Sequence, residues 1–166
     1  MQFGPFLLLR VIHILAAASW LGAAAMLTLC VLPAVRRSGA AGGTFIAEAV
    51  RCGLPKFMAI AAGLTVLSGF SLYWHWSTLV GASATQSTGG ILLMAGAVAG
   101  IAAGIIGGAI LAPSTKQLAA LADEDSVDAG RAARIAALHL RMTFATRLAL
   151  SLLVIALVLM VMSRFG

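Results

Sequence analysis

The sequence predicts an all-α fold, a four-helix transmembrane bundle that forms a single domain over residues 1–166. The composition is the first observation behind this prediction, because 61% of the 166 residues are hydrophobic and only 10% are charged. The mean hydropathy is +1.05. A soluble domain has about 45–50% apolar and about 25% charged residues. The composition therefore excludes intrinsic disorder, which requires low hydrophobicity, and it leaves too few charges to cover the surface of a soluble enzyme.

Four long apolar runs are the second observation. A helix that spans a bilayer needs about 20 mostly apolar residues, and residues 6–33, 54–76, 89–112 and 143–162 satisfy this requirement. Each run must be a helix, because lipid offers the backbone no hydrogen-bond partner. We expect Pro33 and Pro113 at helix exits, where proline does little harm. The loop 113–142 is expected to lead as a helix into span four from about Asp128, after the acidic residues 123–125.

The distribution of basic residues is the third observation. Loop 77–88 carries no Lys or Arg, whereas the other two loops carry Arg36, Arg37, Arg51, Lys116, Arg131 and Arg134. Basic loops stay on the cytoplasmic side. Both termini are therefore predicted on the outer, periplasmic side of a bacterial inner membrane. The net charge of +6 reflects this topology, so the lipid bilayer, and no nucleic acid, is the expected partner.

Ionisable residues inside spans are candidates for function. The first span contains Arg10 and His13, which share one helical stripe. His13 is buried too deeply to reach the interface and needs a carbonyl, a water, a metal or a haem iron as partner. Arg10 one turn away could contact a haem propionate or extend to the headgroups. His75 ends the second span, either as an interfacial residue or as a further ligand.

Two methionines near the end of span four are candidate soft ligands. Met160 and Met162 carry thioethers suited to Cu(I) or to the sixth position of a haem. The alternative is that both simply fill apolar space. Together with His13 they make up the predicted metal site, while Arg10, His13 and His75 make up the predicted haem site.

The third span contains a repeated glycine motif, and the fourth contains an isolated arginine. Gly96, Gly100, Gly104 and Gly108 recur every fourth residue and would allow another helix of this chain or of a second subunit to approach closely. The same stripe could also lie against a planar macrocycle. Arg147 has no carboxylate within any span, and a lipid phosphate is its expected partner.

No catalytic motif of the soluble type occurs in the sequence, which lacks a nucleophile elbow, a Walker loop, a zinc-protease helix and a dinucleotide fingerprint. The sequence therefore predicts no catalytic residues and leaves enzymatic activity open.

Several short motifs resemble the copper-resistance D-like family of small bacterial integral membrane proteins. They are Arg10-Val-Ile-His13, Trp20-Leu-Gly22, Leu32-Pro33-Ala-Val-Arg36, Leu67-Ser68-Gly69 and Leu72-Tyr73-Trp74. The resemblance covers the first half of the chain. In related four-span membrane proteins a histidine of span one ligates haem b, so the resemblance implies this role for His13. It also implies copper passage across the inner membrane as an expected activity.

Three functions therefore remain open from the sequence. The chain is a b-type haem redox protein that uses His13, a copper-handling protein that uses His13, Met160 and Met162, or an accessory subunit. The accessory subunit would pack through the glycine stripe, in a larger membrane complex or in a homo-oligomer.

Overall fold

The computed structural model describes residues 3–122 and 129–165, and the regular structure in these two ranges is helical throughout. The first span consists of α1 (Phe3–Met26), a π-helical turn (Leu27–Val31) and α2 (Leu32–Arg37). Helices α3 (Ala40–Arg51) and α4 (Leu54–Thr85) follow. The second half consists of α5 (Thr88–Ile106), a second π-helical turn (Gly107–Leu111), α6 (Ala112–Ala122) and α7 (Ala129–Met162).

Four helical stretches are long and apolar enough to cross a membrane: Gly4–Arg37, Leu54–Gly81, Thr88–Leu121 and Gly130–Met162. They confirm the all-α class and the four apolar spans of a multi-pass membrane protein. Each helix is longer than the span predicted for it. The sidedness of the termini stays a prediction, and the acidic residues 123–125 and Asp128 lie outside the described residues.

The helices do not end at the two prolines, which differs from the expectation. Each π-helical turn ends two residues before a proline, at Val31 before Pro33 and at Leu111 before Pro113. A proline ring collides with the carbonyl four residues earlier in a regular α-helix. A π-helical turn adds one residue to the turn at that point and relieves the collision. The first and third spans therefore continue past their prolines as unbroken helical stretches.

Helix α3 occupies a segment for which the sequence predicts only a loop. Two glycines with positive φ flank it, Gly39 at 56° and Gly53 at 90°, a region that glycine enters without steric cost. A Cβ at Gly42 would collide with the backbone carbonyl of Val35, so glycine is required where α3 turns back against α2. The helix packs against α6 and buries Ile46.

The bundle is built from two extensive helix pairs, α1 with α4 and α5 with α7. We call the end that carries Arg36, Arg51 and Lys116 the basic end. Near this end a core of large apolar side chains joins α2, α3, α6 and α7. The middle of the bundle is held by Trp20 and Leu153 among small residues, namely Ala24, Ala61, Ala103 and Ala149. Small side chains allow the close approach that membrane helices need in order to associate.

Candidate functional site

His13 is fixed between α1 and α4. Its Nδ1 lies 2.9 Å from the carbonyl oxygen of Thr65 and 3.1 Å from Oγ of Ser68. The Ser68 hydroxyl donates its own proton to the Leu64 carbonyl. The imidazole ring lies over Gly69, where a Cβ would stand 2.8 Å from Cε1 of His13. The sequence-predicted need of His13 for a partner is therefore met by a backbone carbonyl of the neighbouring helix.

These contacts decide the tautomer of His13. A carbonyl oxygen only accepts, so Nδ1 carries the proton and Nε2 keeps its lone pair. A metal-binding histidine is commonly oriented in this way, with the other ring nitrogen bonded to a carbonyl. This tautomer leaves Nε2 able to bind a metal. The ring, however, is held between α1 and α4 rather than beside an open volume.

His75 does not reach the level of His13. It stands seven residues further along α4 than Ser68, about 10 Å along the helix axis. Its ring packs against Phe6 with the two centroids 5.3 Å apart and the planes tilted by 42°. Both axial ligands of a haem bind the same iron, and an offset of about 10 Å along α4 does not let His13 and His75 do so together. The structure therefore orients one candidate haem ligand, His13.

The remaining predicted ligands lie elsewhere in the bundle. Met160 belongs to the α5–α7 interface, where its Cγ is 3.1 Å from the position of a Cβ on Gly96. Met162 is 52% exposed, and Arg10 is exposed as well. The structure therefore brings neither methionine to the α1–α4 interface that holds His13. Within the described ranges, no group of three His, Cys, Asp or Glu side chains could hold a metal ion.

The glycine stripe of α5 divides into two parts. Gly96 is buried against α7, with the Ala156 carbonyl oxygen 3.1 Å from its Cβ position. A Cβ at Gly104 would lie 3.6 Å from Cη2 of the Trp20 ring. A Cβ at Gly100 or Gly108 would meet no atom of another element within 4 Å. Gly96 and Gly104 therefore serve internal packing, whereas Gly100 and Gly108 contact no other element, and Gly108 borders an open space.

The open space is a large apolar cavity between α4 and α5, which we call the cleft. Its volume is about 520 Å³. Leu67 of α4 and Ile105 of α5 stand at its rim and are 69% and 63% exposed, so the cleft opens sideways between these helices. Its inner wall includes Trp20, Ala24, Met58, Ala62, Gly63, Ala103, Gly104, Gly107, Gly108, Met142, Ala149 and Leu153.

The residues that line the cleft carry few polar side-chain groups, namely the indole N–H of Trp20 and three hydroxyls. No charged side chain lines it, and the hydroxyl groups in its wall belong to Thr28, Thr115 and Thr146. Each hydroxyl donates its proton to a backbone carbonyl: Thr28 to Thr146, Thr115 to Ala112, and Thr146 to Thr143. The cleft can therefore hold hydrocarbon, and its residues provide neither an acid, a base nor a nucleophile for catalysis.

Sequence reasoning missed the cleft, although a signal for it exists. Gly63 on α4 and Gly107 in the second π-helical turn add to the recognised stripe, and neither would place a Cβ within 4 Å of another element. Small residues on two helices permit either close contact or a void between them. Which of the two outcomes occurs depends on how α4 and α5 are placed in the folded bundle.

Comparison with protein-family models, with curated proteins and with solved structures finds no match for this chain. The resemblance to copper-resistance D-like proteins therefore stays a prediction, and function has to be argued from the geometry.

Proposed function

We propose that this multi-pass membrane protein binds the hydrocarbon chain of a membrane lipid in the cleft. The observation that carries the proposal is the cleft itself, about 520 Å³ in volume and lined by apolar side chains. This volume lies within the range of about 300–1,000 Å³ that is typical of ligand pockets. The lateral opening between Leu67 and Ile105 would admit a chain directly from the bilayer.

The size of the cleft favours a chain over a transmembrane helix. A membrane-spanning α-helix is about 30 Å long and about 10–12 Å wide with its side chains, which is far more than a cleft of about 520 Å³ can enclose. A subunit helix would therefore remain largely outside the cleft, whereas a flexible chain can enter it fully. If the protein is an accessory subunit, its partner would have to bind to the outer faces of the bundle.

The surroundings of the cleft also favour an occupant. Apolar side chains that face an unfilled volume lose dispersion contacts on that side, and the exposed side chains of Leu67 and Ile105 place the opening at the apolar surface of the bundle. A bound lipid chain restores the missing contacts.

A cavity-filling substitution tests the proposal. Gly63 lines the cleft and has free space around its Cβ position, so Gly63→Leu places apolar bulk inside it. Gly22→Leu is the matched control, because Gly22 is exposed, has equal free space and does not line the cleft. Protein purified in mild detergent is extracted with organic solvent, and the retained lipid is quantified by mass spectrometry.

We expect the wild type and Gly22→Leu to retain lipid in fixed proportion to protein. Gly63→Leu should retain about tenfold less, since overpacking costs about 1–3 kcal/mol and 1.4 kcal/mol is tenfold in affinity. Equal retention by all three proteins would contradict chain binding in the cleft.

Haem ligation by His13 is a second candidate function, favoured by the one observation that its tautomer leaves Nε2 available. An absorption spectrum of the protein purified after expression with haem supply tests it. A Soret band that disappears in His13→Ala would support it, and a flat visible spectrum would remove it. No contact in the described residues favours a copper role for Met160 and Met162.

A further inference from the structure

A second cavity near the basic end is lined by three arginines. It lies between the π-helical turn and α2 on one side and α7 on the other, with a volume of about 390 Å³. Arg36, Arg37 and Arg147 line it, together with Thr28, Leu32, Pro33 and Thr143. We call it the arginine pocket. Thr28 is the one residue that lines both this pocket and the cleft.

The arginine pocket contains positive charge that no described carboxylate neutralises. Within residues 3–122 and 129–165, Glu48 is the sole acidic side chain, and it forms an ion pair with Arg51. None of the three pocket arginines hydrogen-bonds or ion-pairs with another described residue. A guanidinium presents donors in a fixed fork that matches a phosphate, and several of them around one volume suit an anion.

The local structure explains why the three arginines converge. The π-helical turn brings Thr28 against α7, where its hydroxyl donates to the Thr146 carbonyl at 3.5 Å. This contact places the last turn of α2, with Arg36 and Arg37, opposite Arg147. The Thr143 hydroxyl is bonded to the His139 carbonyl at 2.7 Å, so the guanidiniums are the donors left for a ligand.

The surroundings of the arginine pocket indicate a lipid rather than a soluble anion. Leu29 and Phe144 follow directly after Thr28 and Thr143 in sequence, and they are 67% and 72% exposed. Arg147 lies one helical turn beyond Thr143, inside an apolar helix that is long enough to span a membrane. A phospholipid bound here would place its phosphate among the arginines and its chains along the apolar flank. Basic pockets between membrane helices bind anionic headgroups in this way.

We propose that the arginine pocket binds the phosphate of an anionic phospholipid headgroup. The site adjoins the cleft at Thr28 but does not rest on the proposed function. Binding of phosphatidylglycerol to the purified protein is measured by native mass spectrometry, with phosphatidylcholine as the zwitterionic comparison. The test variants are Arg36→Gln, Arg147→Gln and the double variant. Arg141→Gln is the control, because Arg141 is exposed on α7 and does not line the pocket.

The expected result is a preference for phosphatidylglycerol that falls about fivefold in each single variant and about 25-fold in the double variant. The control should bind like the wild type, and Arg147→Lys should lose less binding than Arg147→Gln, because lysine keeps the charge but not the guanidinium fork. Circular dichroism confirms that each variant is folded. If Arg147→Gln does not fold, Arg36→Gln at the exposed end of α2 carries the test.

Two results would overturn the assignment. Equal losses in the control and in the pocket variants would show that the affinity comes from general surface charge. Displacement of phosphatidylglycerol by millimolar inorganic phosphate, with the same dependence on Arg36 and Arg147, would make this a site for soluble phosphate instead.

Discussion

Gly96 and Gly100 belong to the same glycine stripe, yet the structure predicts opposite responses to the same substitution. A Cβ at Gly96 would lie 3.1 Å from the Ala156 carbonyl oxygen, 3.1 Å from Cγ of Met160 and 3.4 Å from Cβ of Leu159. Gly96→Leu therefore has to separate α5 from α7 over a backbone contact that cannot rotate away. At Gly100, one turn along, no atom of another element lies within 4 Å of the Cβ position.

The expected magnitudes follow from these distances. Overpacking costs about 1–3 kcal/mol, and Gly96→Leu should reach the upper end because the obstacle includes backbone. Gly100→Leu should cost nothing and gain up to about 1 kcal/mol, since glycine is a poor residue within a helix. The free energy of unfolding is measured in mixed micelles by titration with a denaturing detergent, followed by circular dichroism. Equal destabilisation by the two substitutions would refute the assigned α5–α7 interface.

Two further predictions concern other close approaches. A Cβ at Gly69 would collide with the His13 ring, so Gly69→Ala should cost about 1 kcal/mol through the lost hydrogen bond to Thr65. In a His13→Ala background, Gly69→Ala should instead raise the free energy of unfolding, because the ring that it would strike is gone. If the effects of the two substitutions add to within about 0.5 kcal/mol in a double-mutant cycle, this coupling is contradicted. Gly42→Ala should lower the melting temperature because its Cβ meets backbone, whereas Gly43→Ala, which meets nothing within 4 Å, should not. Equal melting temperatures for the last two variants would argue against the α2–α3 contact.

The four spans were predictable because bilayer thickness and backbone hydrogen bonding leave few alternatives for long apolar runs. The continuation of the helices past Pro33 and Pro113 was not. Proline is a strong local signal for a helix end, but the π-helical turns that precede both prolines accommodate the rings. Whether a chain forms such a turn depends on packing between distant segments. The hydrophobic periodicity of the sequence contains no information on that packing.

The candidate site was predictable only residue by residue. The need of His13 for a partner follows from its depth in the span. Its partner, however, is the backbone carbonyl of Thr65, and because every residue has a backbone carbonyl, the sequence does not single this one out. The positive charge of Arg147 likewise predicted an anionic partner. Its position opposite Arg36 could be seen only in the folded structure. The cleft depends on how α4 and α5 are placed in the folded bundle, a property of the tertiary structure alone.

Access of a lipid chain to Trp20 is the measurement that tests the central claim most directly. The chain has three tryptophans, and Trp74→Phe with Trp76→Phe leaves Trp20, which is 5% exposed and lines the cleft. The double variant is reconstituted in vesicles whose phospholipids carry bromine on their acyl chains, because bromine quenches tryptophan on contact.

We predict that brominated chains quench Trp20 strongly, and that adding Gly63→Leu restores the fluorescence while adding Gly22→Leu does not. The wild-type protein is the positive control, since Trp74 is 64% exposed and contacts lipid in any case. If Trp20 is equally bright in brominated and ordinary vesicles while the wild type is quenched, no chain enters the cleft and the proposed function is wrong.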